Sequence, residues 1–171
     1  MIYNTYWFCL DPVNEYLKAE TMTRLKDAEH VVAMKWSVPD GEDYGDMQKF
    51  SDDFNVIDNS GRTKSVWCHQ NGGAGYISQF VAVYPAHDIH VFQLMEQGLY
   101  KEAQEKIETA NRELGPWIDK TKLKSGGYRQ GKAMLAALGR PMGAPRLPTL
   151  PCTDEEISEV RTIFEKLGWV N

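Results

Sequence analysis

The sequence has 171 residues, 42% hydrophobic and 25% charged, with a formal net charge of −5. This is the composition of a globular chain of about one domain, and without a block of Lys and Arg it argues against nucleic acid as the main partner. No apolar run reaches the roughly 18 residues of a membrane span, Met1–Trp7 carries no basic leader or signal-peptide core, and Cys9, Cys68 and Cys152 are too widely spaced for a disulfide framework or a zinc knuckle. A reducing, cytoplasmic setting is the expectation.

Short apolar runs recur along the chain with helical stretches between them. Ile2-Tyr3-Asn4 opens it, Val31-Val32-Ala33-Met34-Lys35 is next, then Phe54-Asn55-Val56-Ile57-Asp58, then Gly75 to Val81. Their starts lie about 20 to 30 residues apart, the spacing of βα units in a parallel sheet. Runs that do not alternate, such as the second, suit strands covered on both faces. Between the first two runs, Leu17, Thr21, Met22 and Leu25 share a helical face that Lys26 closes.

Beyond the fourth run the pattern is helical. Asp88 is expected to cap a segment carrying Val91, Leu94 and Met95 that Gly98 stops. Ala103, Ile107, Ala110 and Leu114 form a stripe that should end at Gly115-Pro116, and a further helix should run from Gln130 to Leu138. The final helix is the clearest: Thr153 and Glu156 spell a capping box, Ile157, Val160, Phe164 and Leu167 form its stripe, and Gly168 ends it. Pro141 to Pro151 holds four prolines in eleven residues and reads as an extended strap. The expected division is 1–84 for the strand-bearing part and 85–171 for the helices.

Four βα units with a helical tail account for only half of a (β/α)8 barrel, which takes about 250 residues. Because Ile2-Tyr3 begins at the first residues, the chain is expected to be a fragment, a split subunit or a shortened gene product. Such a half-barrel would leave sheet edges open and expose Val32, Met34, Val56, Ile57 and Ile77, favouring a homo-oligomer or a complementing N-terminal half.

Lys35 is the most informative residue. Reactive groups of barrel enzymes sit at the C-terminal ends of the strands, and an amine walled there by Met34 and Trp36 would lose hydration, which lowers a lysine pKa. A neutral amine can attack a ketone and form an imine that serves as an electron sink; the competing reading is a lysine snorkelling from a strand end into water. Tyr3 is expected on the same face, where a phenol can relay protons or simply hold its hydroxyl at the rim of the core. His87 and His90 stand three apart with no third metal ligand in view. Cys68-His69 are adjacent and so do not face each other. Gly126-Gly127-Tyr128-Arg129 reads as a loop.

These segments, from Ile2 to Asn171, resemble the C-terminal half of the dihydrodipicolinate synthase / N-acetylneuraminate lyase family, class I aldolases built as (β/α)8 TIM barrels with a helical extension. Ile2-Tyr3-Asn4 resembles the fifth-strand Tyr-Asn motif and Leu17–Leu25 the helix after it. Val31–Lys35 resembles the sixth strand with its imine-forming lysine, and Gly72-Gly73-Ala74-Gly75-Tyr76-Ile77-Ser78 the eighth-strand glycine motif. The Gly98 break and the Arg146-Leu147-Pro148 strap fit the tail. The resemblance implies Lys35 as nucleophile, Tyr3 as proton relay, and Ile77 (through its backbone) and Asn59 lining a pyruvyl site. It implies a Schiff-base lyase acting on pyruvate or another 2-oxo acid, with no metal or organic cofactor, since the imine itself delocalises the carbanion. The family's Gly-Thr-Thr carboxylate-binding turn has no match here, and Thr5–Leu10 lacks the arginine of lysine-biosynthetic members, so another 2-oxo acid or aldehyde is expected. The alternative is a catalytically incomplete half-barrel with a structural or interaction role.

Overall fold

A computed structural model describes residues 1–123 and 127–170. It is an α/β structure around one four-stranded parallel sheet, β1 (Ile2–Tyr3), β2 (Ala33–Trp36), β3 (Asn55–Asp58) and β4 (Gly75–Tyr76), paired in that order. Register runs Tyr3 beside Lys35, Lys35 beside Ile57 and Ile57 beside Gly75. The strands are thus parallel neighbours in chain order, as the βα spacing implies.

The chain divides into two compact units, Met1–Ser78 with Met95–Tyr100, and Gln79–Leu94 with Lys101–Asn171. The first holds the sheet with three short helices, α1 (Pro12–Glu15), α2 (Ala19–Thr23) and α3 (Ser65–Gln70), and two 3-10 turns, Tyr6–Phe8 and Tyr44–Lys49. Its core joins Met34, Trp36 and Val56 from the strands to Ala19, Met22, Met47, Phe50 and Cys68. Trp36 meets Phe50 edge-on at 5.0 Å, and its indole N–H donates to Tyr44 O.

Several boundaries differ from the sequence expectation. β2 spans Ala33–Trp36 rather than 31–35, because the Val31 N–H closes a turn on Ala28 O, and Trp36 comes after Lys35 as the last paired residue. α2 stops at Thr23, short of Lys26, where the Thr23 hydroxyl donates to Glu20 O and competes with the helical backbone. β4 is only two residues long, and Phe80–Ala82 is a 3-10 turn instead of its continuation. Met34 and Val56 are fully buried, so the expectation that they would be exposed is wrong; they face the helices, while Val32 and Ile77 remain in solvent.

The second unit is built from α4 (Pro85–Glu96), α5 (Tyr100–Thr121), α6 (Tyr128–Ala137) and α7 (Asp154–Lys166), of which the last residues of α4 and the first of α5 belong to the first unit. α4 begins at Pro85, a favoured first helical position, which puts Asp88 inside the helix and not at its cap. α5 runs through Gly115-Pro116 to Thr121. An internal proline costs roughly 3 kcal/mol, and the last turn of α5 offsets it. Trp117 is buried there with its indole N–H on Glu156 O, and the Thr121 hydroxyl donates to Trp117 O.

α7 has the expected capping box, with Thr153 and Glu156 bonding reciprocally, and Gly168 takes a φ of 68° just past its end. Arg129, expected in a loop, lies in α6 and is buried. Its guanidinium donates to Thr121 O, Leu150 O and Pro151 O and pairs with Glu156 at 2.8 Å, tying the proline strap to α6 and α7. Gly126, from the same expected loop, lies outside the described residues.

Partial burial pushes the Glu156 carboxyl up, but the Thr153 N–H and the Arg129 charge outweigh it, and the net shift is downward. A depressed carboxyl stabilises the fold above its unfolded pKa of about 4.3, and the contribution is lost as pH falls from there through the folded value. Glu156→Gln should therefore lower stability at pH 7 and flatten its decline below about pH 4.3, read by urea unfolding across a pH series. At Gly73, a Cβ would collide with Cys68 Sγ and lie 2.7 Å from Cys68 O. Gly73→Ala should destabilise the first unit by about 1–3 kcal/mol in the same assay.

Candidate active site

Strand side chains alternate between faces, and in the first unit the alternation divides packing from chemistry. Met34, Trp36, Val56 and Asp58 are wholly buried, whereas Tyr3, Lys35 and Ile57 form a row on the other face. Met34 and Trp36 therefore do not wall Lys35, contrary to expectation. Its neighbour is Tyr3: the Lys35 Nζ sits 3.7 Å from the Tyr3 ring centroid, within cation–π range. The phenolic oxygen is turned to Asn59, whose side-chain amide donates to it at 3.2 Å. Ile77 lies just past β4, its N–H on Asp58 O at 2.9 Å and its side chain 42% exposed. Three of the four expected site residues, Tyr3, Lys35 and Asn59, are thus in one chain of contacts, and Ile77 stands on the adjoining strand end.

Two residues that hold this arrangement were not anticipated. Asn4, 1% exposed, donates through Nδ2 to Leu17 O and Ser37 O and accepts from Leu17 N–H at 3.0 Å. Its backbone completes the clamp, with the N–H on Lys35 O and the carbonyl receiving the Ser37 hydroxyl at 2.8 Å. Asp58, also buried, accepts from the Tyr44 hydroxyl, the Ser65 hydroxyl and the Ser60 N–H at 2.7–2.9 Å. It shapes the turn that presents Asn59. The available signal was a short polar side chain ending an apolar run, in Ile2-Tyr3-Asn4 and in Val56-Ile57-Asp58.

Beside this row, a cleft of about 570 Å³ opens at the ends of β2 and β3, lined by Tyr6, Ser37, Tyr44, Asn59, Lys64 and Trp67 among others. The Tyr44 hydroxyl is driven to a higher pKa by burial, with the Asp58 charge adding to it, so it serves as a hydrogen-bond donor. Cys68 and His69 have separate surroundings. The Cys68 thiol is pushed up to about 11 by burial and lies 3.5 Å from Met47 Sδ, while His69 Nε2 meets Glu96 at 2.9 Å. Among the described residues no three His, Cys, Asp or Glu side chains gather to hold a metal, and no helix is long and apolar enough to cross a membrane.

The family model of the dihydrodipicolinate synthetase family matches residues 9–167. The chain belongs to the dihydrodipicolinate synthetase family. No curated protein matches it. Among solved structures it is similar to dihydrodipicolinate synthase from Thermotoga maritima, with a TM-score of 0.75 at 19% identity over 98% of this chain and 55% of that one. It is also similar to the enzyme from Bacteroides thetaiotaomicron, with a TM-score of 0.76 at 15% identity over 96% and 54% of the two chains. The Agrobacterium tumefaciens enzyme gives 0.73 at 23% identity over 97% and 54%. The chain therefore shares the fold of these synthases and spans about 55% of their length.

Asn4→Ala would strip the Leu17 N–H, Leu17 O and Ser37 O of their buried partner, and each orphaned group costs about 1–3 kcal/mol. It should lower the unfolding midpoint and abolish the upfield shift that the Tyr3 ring imposes on the Lys35 side-chain protons in NMR spectra. A conservative Asn4→Asp, which can accept but not donate, should recover only part of the loss.

Proposed function

We propose that this chain supplies the imine-forming part of a Schiff-base lyase or aldolase acting on pyruvate or another 2-oxo acid. It would do so within a (β/α)8 barrel of which it provides four βα units and the helical extension. Family membership supports the lyase class, and the observation that carries the reading is the Lys35 amine over the Tyr3 ring on the sheet face turned away from the core.

In the reaction, the Lys35 amine as free base adds to C2 of the 2-oxo acid, and a proton passes from nitrogen to oxygen to give a carbinolamine. The hydroxyl takes a second proton and leaves as water, and the resulting iminium loses a C3 proton to become an enamine. C3 then bonds to the carbonyl carbon of an acceptor, whose oxygen takes a proton, and water hydrolyses the imine to release product and Lys35. The Tyr3 phenol, steadied by Asn59, carries these protons. Asn59 and the Ile77 backbone line the pyruvyl end. The imine holds the electron pair, so the scheme needs no metal or organic cofactor. The substrate-carboxylate turn would come from a complementing N-terminal half, or a second copy of the chain would cover the open face, in the cytoplasm. Thr5–Leu10 contains no arginine, which argues against the substrate of lysine biosynthesis.

A non-catalytic half-barrel is the second reading, favoured by the 40% exposure of Tyr3 and the two-residue strands at both sheet edges. Borohydride trapping separates the two. With pyruvate and the N-terminal half of a relative added, a covalent adduct should form on Lys35, located by peptide mass spectrometry, and Lys35→Ala should abolish it. The chain alone should label slowly, because carboxylate binding supplies much of the positioning. Tyr3→Phe should lower turnover by about 10²–10⁴-fold, the usual contribution of a positioned acid–base group. Assembly with the N-terminal half but without any adduct, or an adduct on Lys49 or Lys132, would exclude the imine assignment to Lys35.

A further inference from the structure

The helical unit carries a charge asymmetry that the proposed reaction does not use. Residues 120–153 hold seven of the chain's nineteen Lys and Arg and no Asp or Glu, which leaves the other residues with twelve cations against all twenty-four carboxylates. Two of the seven are paired, Lys120 with Glu159 at 2.7 Å and Arg129 with Glu156 at 2.8 Å. Lys122, Lys132, Arg140 and Arg146 have no carboxylate partner among the described residues. The chain is acidic as a whole, yet this stretch presents a local field that attracts anions.

The same stretch exposes apolar side chains. On the proline strap Met142 is 65%, Leu147 83% and Leu150 61% exposed, and Tyr128, next to the arginine that holds the strap, is 78% exposed. Apolar side chains gathered in this way commonly mark an interaction surface, and the strap's backbone decides the occupant. Pro141, Pro145, Pro148 and Pro151 have no N–H to satisfy. Met142 O accepts from Lys132, Arg146 O from the Thr149 N–H, and Leu150 O and Pro151 O from Arg129. An apolar medium penalises each unpaired backbone group, so a segment with few donors and internally bonded carbonyls approaches one at low cost. A protein partner would need a complementary interface of about 1,000 Å², whereas leucines standing this far out of an irregular strap suit a medium that deforms around them.

We infer that the strap is a peripheral membrane-binding face. Met142, Leu147 and Leu150 enter the headgroup boundary of an anionic lipid leaflet, and Lys132, Arg140 and Arg146 meet its phosphates. Surface binding of this kind needs both signals, a modest apolar insertion and several cations. Tyr128 adds an amphipathic ring of the sort enriched at that depth. Attachment is peripheral, because among the described residues no helix is long and apolar enough to cross a membrane. The inference is independent of the imine reading, since none of these residues belongs to the sheet.

The test sediments the full chain with vesicles of phosphatidylcholine alone and of an equal mixture of phosphatidylcholine and phosphatidylglycerol. The chain should bind the mixed vesicles, less so as salt rises, and leave the neutral ones unbound. Arg146→Glu, a change of two charges, should weaken binding by about 25-fold, at about fivefold per charge near an anionic leaflet. Leu147→Ser combined with Leu150→Ser should weaken it by about tenfold. These three side chains are exposed, so the urea unfolding midpoint should stay unchanged in both variants, which confirms that they fold. Polyglutamate, an anion without an apolar phase, is added as a competitor, and light scattering follows self-association. Absence of binding to the mixed vesicles, or binding that the leucine variant leaves unchanged, would overturn the inference. So would polyglutamate holding the chain as tightly as the vesicles do, which makes an acidic polypeptide the occupant. Self-association that the leucine variant abolishes, without vesicle binding, makes the occupant a second copy and overturns it equally.

Discussion

The first unit depends on one buried amide. Asn4 stands directly after Tyr3, and through its side chain and backbone it bonds Leu17, Lys35 and Ser37. These groups lie at the end of β1, before α2 and at the end of β2. A buried side-chain amide that satisfies several backbone groups cannot shift without orphaning them, at about 1–3 kcal/mol apiece. The amide therefore fixes the spacing between the last residue of β1 and the penultimate residue of β2. Those two residues are Tyr3 and Lys35, so a structural hydrogen-bond cluster sets the geometry of the amine and the phenol.

The same device operates one strand further on. Asp58 takes a core-facing position that its neighbour Val56 fills with a hydrocarbon. Burying a carboxylate is costly unless its oxygens are satisfied, and here two hydroxyls and a backbone N–H do so. The outcome is a rigid corner carrying Asn59, which reaches back across β2 to the Tyr3 hydroxyl. Polar groups on the packed side of the sheet thus orient polar groups on its open side.

Much of this is legible in the sequence, for identifiable reasons. The four strands show because apolar runs bounded by Gly, Pro and Asn are strong local signals, and the α7 cap because Thr153 and Glu156 act only on each other and the backbone between them. The features that sequence reasoning misses involve long-range partners. Nothing local shows that Trp117 and Thr121 will be buried deeply enough to carry α5 through Pro116, or that Arg129 will leave a glycine-rich loop for a buried ion pair with Glu156. Lys35 and Tyr3 do share one face, but the expected neighbours of the amine are the wrong ones. Period-2 alternation sends Met34 and Trp36 away from Lys35 and brings the cross-strand Tyr3 beside it.

That alternation also explains how the chain can keep the synthase fold at 15–23% identity. The fold is written in one half of the strand residues, Met34, Trp36 and Val56, together with the clamp at Asn4, and these constrain only volume, apolarity and a few donors. The other half, with the loops beyond it, is free of that constraint because it packs against little within this unit: Tyr3 and Ile77 are about two-fifths exposed. The segment Thr5–Leu10 leaves directly from the Asn4 clamp, so its anchoring point is fixed while its side chains are not. The side chains of Tyr6, Trp7 and Phe8, in a short turn that contributes no buried residue to the core, can differ without disturbing the register that positions the amine. Divergence in chemistry disturbs the fold least where a rigid strand end feeds a short exposed turn, and in this chain that junction lies between Asn4 and Tyr6.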